Sequence, residues 1–322
     1  SRKTKCSRLW CSKKKKGGKM IPLYQAIGKI VLKTVNFDAL PEKEQKLFIV
    51  KQYCNDLENF KYTKDDESHY GRLLELNLDT QNKVCYFSQG TELTPDRKDE
   101  LLIFSNYAPN DPSIYASHIS LKPLLQFELC NYVENNFKKI PWKEEARGKE
   151  FLNYLKDIQE TFYRMENNII SLKYDKLKED QQTNFPDPEN IPELKDKLNK
   201  KKDYNKAFQK NLKKYFSTTI KDFVTERQAY AIKIDGKFLH QTEYADCYID
   251  VLYYYLFERE YLDNANKGYC HICGNESTLP KETAIKQKFF GTTNPLYFDK
   301  VNRNLTHNAF SMCEKCNQQV LV

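Results

Sequence analysis

Two Cys-x-x-Cys pairs near the C-terminus have the residue type and the spacing of a metal site. Cys270 and Cys273 form the first pair, and Cys313 and Cys316 form the second. Each pair can place two thiolates on one side of a tight turn, and four thiolates complete a tetrahedral zinc site. Such a site is closed, because it leaves no coordination position for water. We therefore expect these cysteines to bind Zn²⁺ as a structural ion, although the 39 residues between the pairs exceed the spacing of a compact zinc ribbon.

Two patterns in the chain resemble parts of metal-dependent nucleases. Zinc-pinned HNH nucleases also end in Cys-x-x-Cys-Asn, as the second pair with Asn317 does. They also need an Asp-His or His-His pair on the hairpin just after the first knuckle, to bind a catalytic metal and activate water. Residues 277–283 contain no histidine. Asp187 followed by Glu193 and Lys195 resembles a restriction-type motif, but the prolines around it predict a linker and a helix start instead of paired strands. We therefore assign no catalytic residue, and an HNH-like nuclease stays the enzymatic alternative.

Basic side chains are concentrated in one segment with helical periodicity. Residues 195–214 contain nine lysines against two aspartates, so the outer face of the predicted helix would carry a row of positive charge. Lysines in such a row can neutralise phosphates, but an ordinary solvated helix also displays them. A second basic segment lies between the two cysteine pairs. The candidate contacts to a nucleic-acid backbone from both segments are Lys201, Lys210, Lys214, Lys288 and Arg303.

Length and charge limit the classes of protein that this chain can belong to. It has 322 residues, enough for two or three domains, and its 40% hydrophobic content excludes disorder over the whole length. The net charge of +8 comes from residues 1–19, which hold nine basic residues and no acid, so the rest is close to neutral. A polyanion would therefore be contacted by local patches and not by bulk charge. No apolar run approaches the ~20 residues that cross a bilayer, and we expect no membrane partner.

The remaining cysteines indicate a reducing compartment. Six of them have no ligand spacing, and residues 1–19 lack the apolar region of a secretory signal. We therefore expect a cytoplasmic protein in which these six are free thiols. They are Cys6, Cys11, Cys54, Cys85, Cys130 and Cys247.

Hydrophobic periodicity predicts a mixed first half. Helical spacing follows Met20, and the alternation of Leu74, Leu76 and Leu78 before residues 84–87 predicts a β-hairpin. Seven large apolar residues spaced four and three apart between Phe151 and Leu172 predict one long helix. A second helix is predicted from Leu194 to Tyr215, so that the two form a helical hairpin.

The C-terminal third begins with a strong turn signal. Asp235-Gly236 tolerates the positive φ angles of a tight hairpin, and a helix is predicted from Glu243 to Tyr261. Together these patterns predict a multi-domain α+β protein. Its expected parts are a basic leader (1–19), an N-terminal α+β domain (20–145), a helical hairpin with a lysine-rich face (146–222), and a lobe with a hairpin, a helix and a zinc module (223–322).

Four stretches of the chain carry a resemblance to a known family. They are Lys288–Thr293 between the cysteine pairs, Asn308–Met312 before the second pair, the hairpin Ile234–Lys237, and the opening Met20–Lys29. With the paired Cys-x-x-Cys motifs, they resemble the large subunit of the subtype I-B CRISPR effector complex, Cascade. The matching motifs cover about a third of the chain, and residues 30–220 match nothing specific. Members of this family usually continue into a helical region after the second cysteine pair.

The resemblance implies a non-catalytic subunit of a prokaryotic, RNA-guided complex. Such a subunit contacts the protospacer-adjacent motif (PAM) in target double-stranded DNA, and a separate helicase-nuclease is then recruited. Pairing with the guide RNA supplies the long sequence specificity, while the protein reads a short motif and the backbone. The implied partners are guide RNA, target DNA, the other effector subunits and the helicase-nuclease. A structural adaptor without affinity for nucleic acid is the second alternative.

Overall fold

The computed structural model describes residues 20–54, 57–102, 128–221, 223, 229–262, 266–270, 272–279 and 312–322. The architecture is mixed α+β with small sheets and several helices, which confirms the expected fold class. The chain divides into two compact units, one of Ser1–Gln52 with Tyr253–Val322 and one of Tyr53–Leu252. The expected division into four consecutive segments stays a prediction.

Helices and strands alternate irregularly along the described residues. The α-helices are α1 (Met20–Thr34), α2 (Glu42–Gln52), α3 (Glu128–Asn136), α4 (Glu145–Phe162), α5 (Glu179–Gln182), α6 (Pro192–Lys195), α7 (Lys201–Thr219), α8 (Ala245–Tyr253), α9 (Arg259–Leu262) and α10 (Glu314–Leu321). The strands are β1 (Lys61–Lys64), β2 (Glu67–Tyr70), β3 (Arg72–Asp79), β4 (Val84–Glu92), β5 (Tyr163–Glu166), β6 (Ile169–Leu172), β7 (Ala229–Ile234), β8 (Lys237–Phe238), β9 (Asn266–Tyr269) and β10 (Glu276–Leu279). None of these helices is long and apolar enough to span a membrane.

A four-stranded sheet in the order β4-β3-β7-β8 forms the centre of the second unit. Strands β3 and β4 form the hairpin that the alternating leucines predicted, with Leu76 opposite Phe87. On its other side β3 pairs in parallel with β7, which places Leu76 beside Ile232. The leucines of β3, Leu73, Leu74, Leu76 and Leu78, are all buried. Because successive side chains point to opposite faces of a sheet, both faces are covered at this strand.

The predicted Asp235-Gly236 hairpin is confirmed by β7 and β8. Asp235 and Gly236 have φ angles of 49° and 79°, the left-handed conformation that a tight turn requires. The Asp235 carboxylate accepts hydrogen bonds from the main-chain N–H and the hydroxyl of Thr80, at 2.8 and 2.7 Å. The turn of β7 and β8 is thereby tied to the turn between β3 and β4.

The prediction of one helix from Phe151 to Leu172 is wrong at its C-terminal half. Helix α4 ends at Phe162, and the chain continues as the hairpin of β5 and β6. Asn167 and Asn168 make its turn with φ angles of 49° and 62°, which asparagine tolerates better than most residues. The Asn-Asn turn and the β-branched residues after it outweigh the apolar spacing, because two adjacent left-handed residues end a helix.

Helix α7 has an apolar inner face and an exposed face with lysines, as the sequence predicted. Its inner face packs aromatic rings against β4, with the Phe87 and Phe216 centroids 4.9 Å apart. The hydroxyl of Tyr215 donates to the main-chain oxygen of Gln181 at 2.6 Å, which fixes the rotation of the helix. The described lysines of α7 are exposed on its other face.

A helical stretch leads to the cysteine region, and its residues from Tyr253 on belong to the first unit. Helix α8 continues through a π-helical segment, Tyr254–Glu258, into α9, which agrees with the predicted helix. The centroids of Phe257 and Tyr261 lie 5.5 Å apart, and both side chains are buried. The Tyr261 hydroxyl lies 3.5 Å from the main-chain oxygen of Met312, immediately before the second cysteine pair.

Candidate functional site

The first cysteine pair lies in the turn between β9 and β10. The main-chain N–H of Cys270 donates to the oxygen of Asn275, and the N–H of Gly274 donates to the oxygen of Cys270, both at 2.9 Å. Gly274 has a φ of 76°, so a residue with a side chain would be strained there. The hairpin therefore holds Cys270 and Cys273 in a tight knuckle.

The second cysteine pair lies at the start of α10. Cys313 is the residue before the first helical turn, in an extended conformation with φ −63° and ψ 160°. The N–H of Asn317 donates to the oxygen of Cys313 at 2.9 Å. Cys316 is three residues further on, so the first turn of α10 brings its sulfur to the side on which Cys313 lies.

The four sulfurs form one cluster. All four Sγ atoms lie within 4.8 Å of one another, and those of Cys273 and Cys313 are 3.9 Å apart. A tetrahedral zinc ion with Zn–S bonds of ~2.3 Å separates its ligand sulfurs by about 3.8 Å. The cluster therefore fits a metal ion held by four thiolates. Cys270 and Cys316 are buried, Cys313 is half-buried, and Cys273 is exposed.

The surroundings of the cluster lower the pKa of one thiol, Cys270, and raise the pKa of two others, Cys313 and Cys316. Burial acts to raise the pKa of Cys270, but hydrogen bonds from the main-chain N–H groups of Cys273 and Cys313 outweigh it and lower the pKa to about 7. Burial raises the pKa of Cys313 and Cys316, and the neighbouring Cys270 sulfur raises it further. A divalent cation at the centre would favour the thiolate form of all four.

Apolar and amide side chains surround the cluster. Met312 and Val320 are buried against Cys270 and Cys316. Gln25 on α1 also contacts the cluster, because its Nε2 lies 3.6 Å from the Sγ of Cys316. No sequence motif marks Gln25 as part of this site, since 291 residues separate it from Cys316.

The lysines of α7 form a row on its exposed face. Lys202, Lys206, Lys210 and Lys214 are all exposed and follow one another at intervals of four residues, so they lie on neighbouring turns. We call these four residues the lysine row.

Of the five candidate contacts to nucleic acid, two belong to the lysine row and one lies beside it. Lys210 and Lys214 are members of the row. Lys201 forms an ion pair with Glu128 on α3, so part of its charge is already neutralised. Lys288 and Arg303 lie outside the described residues.

The carboxylates of the restriction-type pattern have basic partners. Asp187 is buried, and both of its carboxylate oxygens accept hydrogen bonds from Nη2 of Arg164, at 3.0 and 3.1 Å. Glu193 accepts a hydrogen bond from Lys197 at 2.7 Å. That hydrogen bond and the charge of Lys197 lower the pKa of Glu193, and Lys210 adds a smaller effect.

The chain was compared with protein-family models, with curated proteins and with solved structures, and none of the three comparisons found a match.

Proposed function

We propose that this chain is the non-catalytic large subunit of a type I-B CRISPR surveillance complex. In this role it contacts target duplex DNA at the protospacer-adjacent motif and helps to recruit a helicase-nuclease. The observation that carries the proposal is the gathering of four cysteine sulfurs within 4.8 Å, in the lobe where the sequence resembles that family. Subunits of such complexes act in the prokaryotic cytoplasm.

The metal in this proposal is Zn²⁺, and its role is structural. Four sulfur ligands favour zinc or iron, and four protein ligands leave no position for a reacting water. The ion would join the turn of β9 and β10 to the start of α10, beside the apolar cluster that Met312 and Val320 form with the cysteines. Elemental analysis of the purified chain should return about one zinc per chain. An iron site would instead show visible absorption.

The lysine row supports the assignment to nucleic acid. Its four residues span about 18 Å along the helix axis. Like charges four residues apart destabilise a helix by about 0.2–0.5 kcal/mol per pair, so the row has an energetic cost unless a polyanion lies against it. Two acids near the row, Asp203 and Glu193, can offset part of its charge. Glu193 is already paired with Lys197, which lies outside the row. The row suits contacts to phosphates, which position a protein on DNA without reading its sequence.

Co-purification is the direct test of membership in the complex. The tagged chain is expressed with a guide RNA and the repeated backbone subunits of a type I-B system. We expect the chain to elute with both, and removal of the guide RNA should release it. Elution of the chain by itself, with the rest of the complex assembled, would defeat the proposal.

Incubation with plasmid DNA and Mg²⁺ separates the proposal from the two alternatives. A non-catalytic subunit leaves the plasmid intact and retards a duplex that carries the correct motif. Cleavage by the purified chain would favour the HNH-like nuclease. The absence of binding to any duplex, with or without the complex, would favour the structural adaptor.

A further inference from the structure

The described side chains of helix α1, residues 25–34, are mostly exposed. Among its residues 25–34, only Gly28 is buried, and Ile27 and Ile30 are 46% and 65% exposed. A Cβ atom at Gly28 would overlap the main-chain oxygen of Gln319 on α10, so the two helices approach as closely as their backbones allow. A helix of this length is only marginally stable in water. The contact with α10 is therefore a main source of its stability.

The side-chain amide of Gln25 extends the contact between α1 and α10 to the sulfur cluster. Nε2 of Gln25 lies 3.0 Å from Oε1 of Gln319 and 3.6 Å from Sγ of Cys316. The amide group has two hydrogens, so it can donate to both acceptors at once. A distance of 3.6 Å suits a sulfur acceptor, which is larger than oxygen.

The hydrogen bond from Gln25 to Cys316 would stabilise the negative charge of a thiolate ligand. Four thiolates around a divalent ion carry a net charge of −2, and burial of that charge is unfavourable without donors. Cys316 is buried at 3% exposure, so water has little access to its sulfur. Cys270 receives a main-chain N–H from Cys313 at 3.3 Å, and Gln25 supplies a side-chain donor to Cys316. Donors of this kind orient ligands and tune the metal.

We infer that Gln25 is a positioning residue of the metal centre and that docking of α1 on α10 is coupled to metal binding. The same side chain contacts a ligand sulfur and the helix that bears it. Metal binding fixes α10, and α10 with the Cys316 thiolate then holds α1. Because the coupling is thermodynamic, a weaker docking of α1 also weakens metal binding. This inference rests on the metal centre of the proposed function and not on its partners.

The first experiment measures hydrogen exchange in the unmodified full-length chain. Amide exchange is compared between the zinc-loaded protein and the protein after chelation under reducing conditions. We expect chelation to increase exchange in residues 25–34 together with α10, while β3 in the other unit keeps its protection. If α10 loses protection while residues 25–34 do not change, the coupling is refuted. Because this comparison needs no variant, it does not depend on the folding of a mutant.

The second experiment removes the amide alone. Gln25→Leu keeps a side chain of similar size but has no donor. Gln52→Leu is the matched control, because the amide of Gln52 donates to the main-chain oxygen of Phe48 in its own helix. Both variants are titrated with Co²⁺, whose sulfur-to-metal charge-transfer band reports on the thiolates. We expect Gln25→Leu to bind about tenfold more weakly. Its band should also shift to lower energy, because the Cys316 thiolate loses a donor.

The outcomes separate this inference from the proposed function. If the unmodified chain binds neither Zn²⁺ nor Co²⁺, the metal centre fails and the inference fails with it. If the chain binds metal but Gln25→Leu has the affinity and the spectrum of the unmodified chain, only the role of Gln25 is refuted. A loss of affinity without a spectral shift would make Gln25 a packing residue and refute its donor role.

Discussion

The main-chain N–H of Cys313 lies 3.3 Å from the Sγ of Cys270, so the second cysteine pair donates a hydrogen bond to the first. This bond joins residues 43 positions apart, and it helps to lower the pKa of Cys270 to about 7. The backbone of the second pair thus helps to hold the Cys270 sulfur beside the other three.

Replacement of one ligand should abolish the metal site. Cys316→Ser removes a buried thiolate, and we expect the zinc content to fall from about one per chain to near zero. Zinc binding contributes roughly 10–16 kcal/mol in small zinc modules, so the lobe should also unfold at a lower temperature. Cys54→Ser, at a half-buried cysteine outside the cluster, is the control. Full metal content in Cys316→Ser would contradict the site.

The close approach of α1 and α10 predicts that an alanine at position 28 lowers the stability of the protein, where in most helices it would raise it. In an exposed helix, Gly→Ala stabilises by up to about 1 kcal/mol. Gly28→Ala should instead destabilise by about 1–3 kcal/mol, because its Cβ overlaps the oxygen of Gln319 and the helices must move apart. The measurement is the free energy of unfolding in urea. A gain in stability would show that α1 does not pack as described.

The lysine row should set part of the salt dependence of DNA binding. Lys210→Ala with Lys214→Ala removes two phosphate contacts, so the slope of log affinity against log salt should become shallower by about 1.8. The matched control is Lys195→Ala with Lys221→Ala, which removes the same charge from exposed lysines outside the row. Duplex binding is measured across a salt series for both. Equal slopes in the two double variants would remove the row from the interface.

The guanidinium of Arg164 neutralises the charge of the buried Asp187 carboxylate. The guanidinium is one quarter exposed and the carboxylate 3% exposed, so Arg164→Met leaves an almost buried carboxylate without its partner. We expect a loss of about 3 kcal/mol in the free energy of unfolding. Glu189→Gln removes the exposed carboxylate that also pairs with Arg164 and should cost far less. Addition of Asp187→Asn to Arg164→Met should recover part of the loss, and failure to do so would contradict the pairing.

Alkaline pH should destabilise the second unit through Cys85. Burial raises the pKa of its thiol from 9.0 to about 12, so the folded state keeps the proton that the unfolded state loses above pH 9. The stability from this group is complete below pH 9 and declines as pH rises towards 12. By pH 10 the loss is about 1.4 kcal/mol. Urea unfolding at pH 8 and pH 10 measures it.

The test variant for that prediction is Cys85→Ala. Its stability should be lower at both pH values because of the cavity, but its decrease between them should be smaller than in the unmodified chain. An identical decrease would assign the alkaline loss to other groups, such as the buried tyrosines.

Local patterns predicted much of the secondary structure correctly. The alternation of leucines in β3 and the Asp235-Gly236 turn each required a particular backbone, and each is present. The prediction failed between Tyr163 and Leu172, where apolar residues are compatible with a helix and with strands. The Asn167-Asn168 turn decides between them, because two adjacent left-handed residues favour a hairpin over a helix.

The amino-acid sequence by itself determined the two Cys-x-x-Cys pairs, the hairpins of β3 with β4 and of β7 with β8, and the lysine-rich helix face, because each depends on residues that are close in the chain. The tertiary structure decided which distant elements meet. It placed β7 beside β3 in parallel, and it placed Gln25 against Cys316. It also required a glycine at position 28, where α1 meets Gln319. These contacts depend on the path of the whole backbone, which local spacing and periodicity do not record.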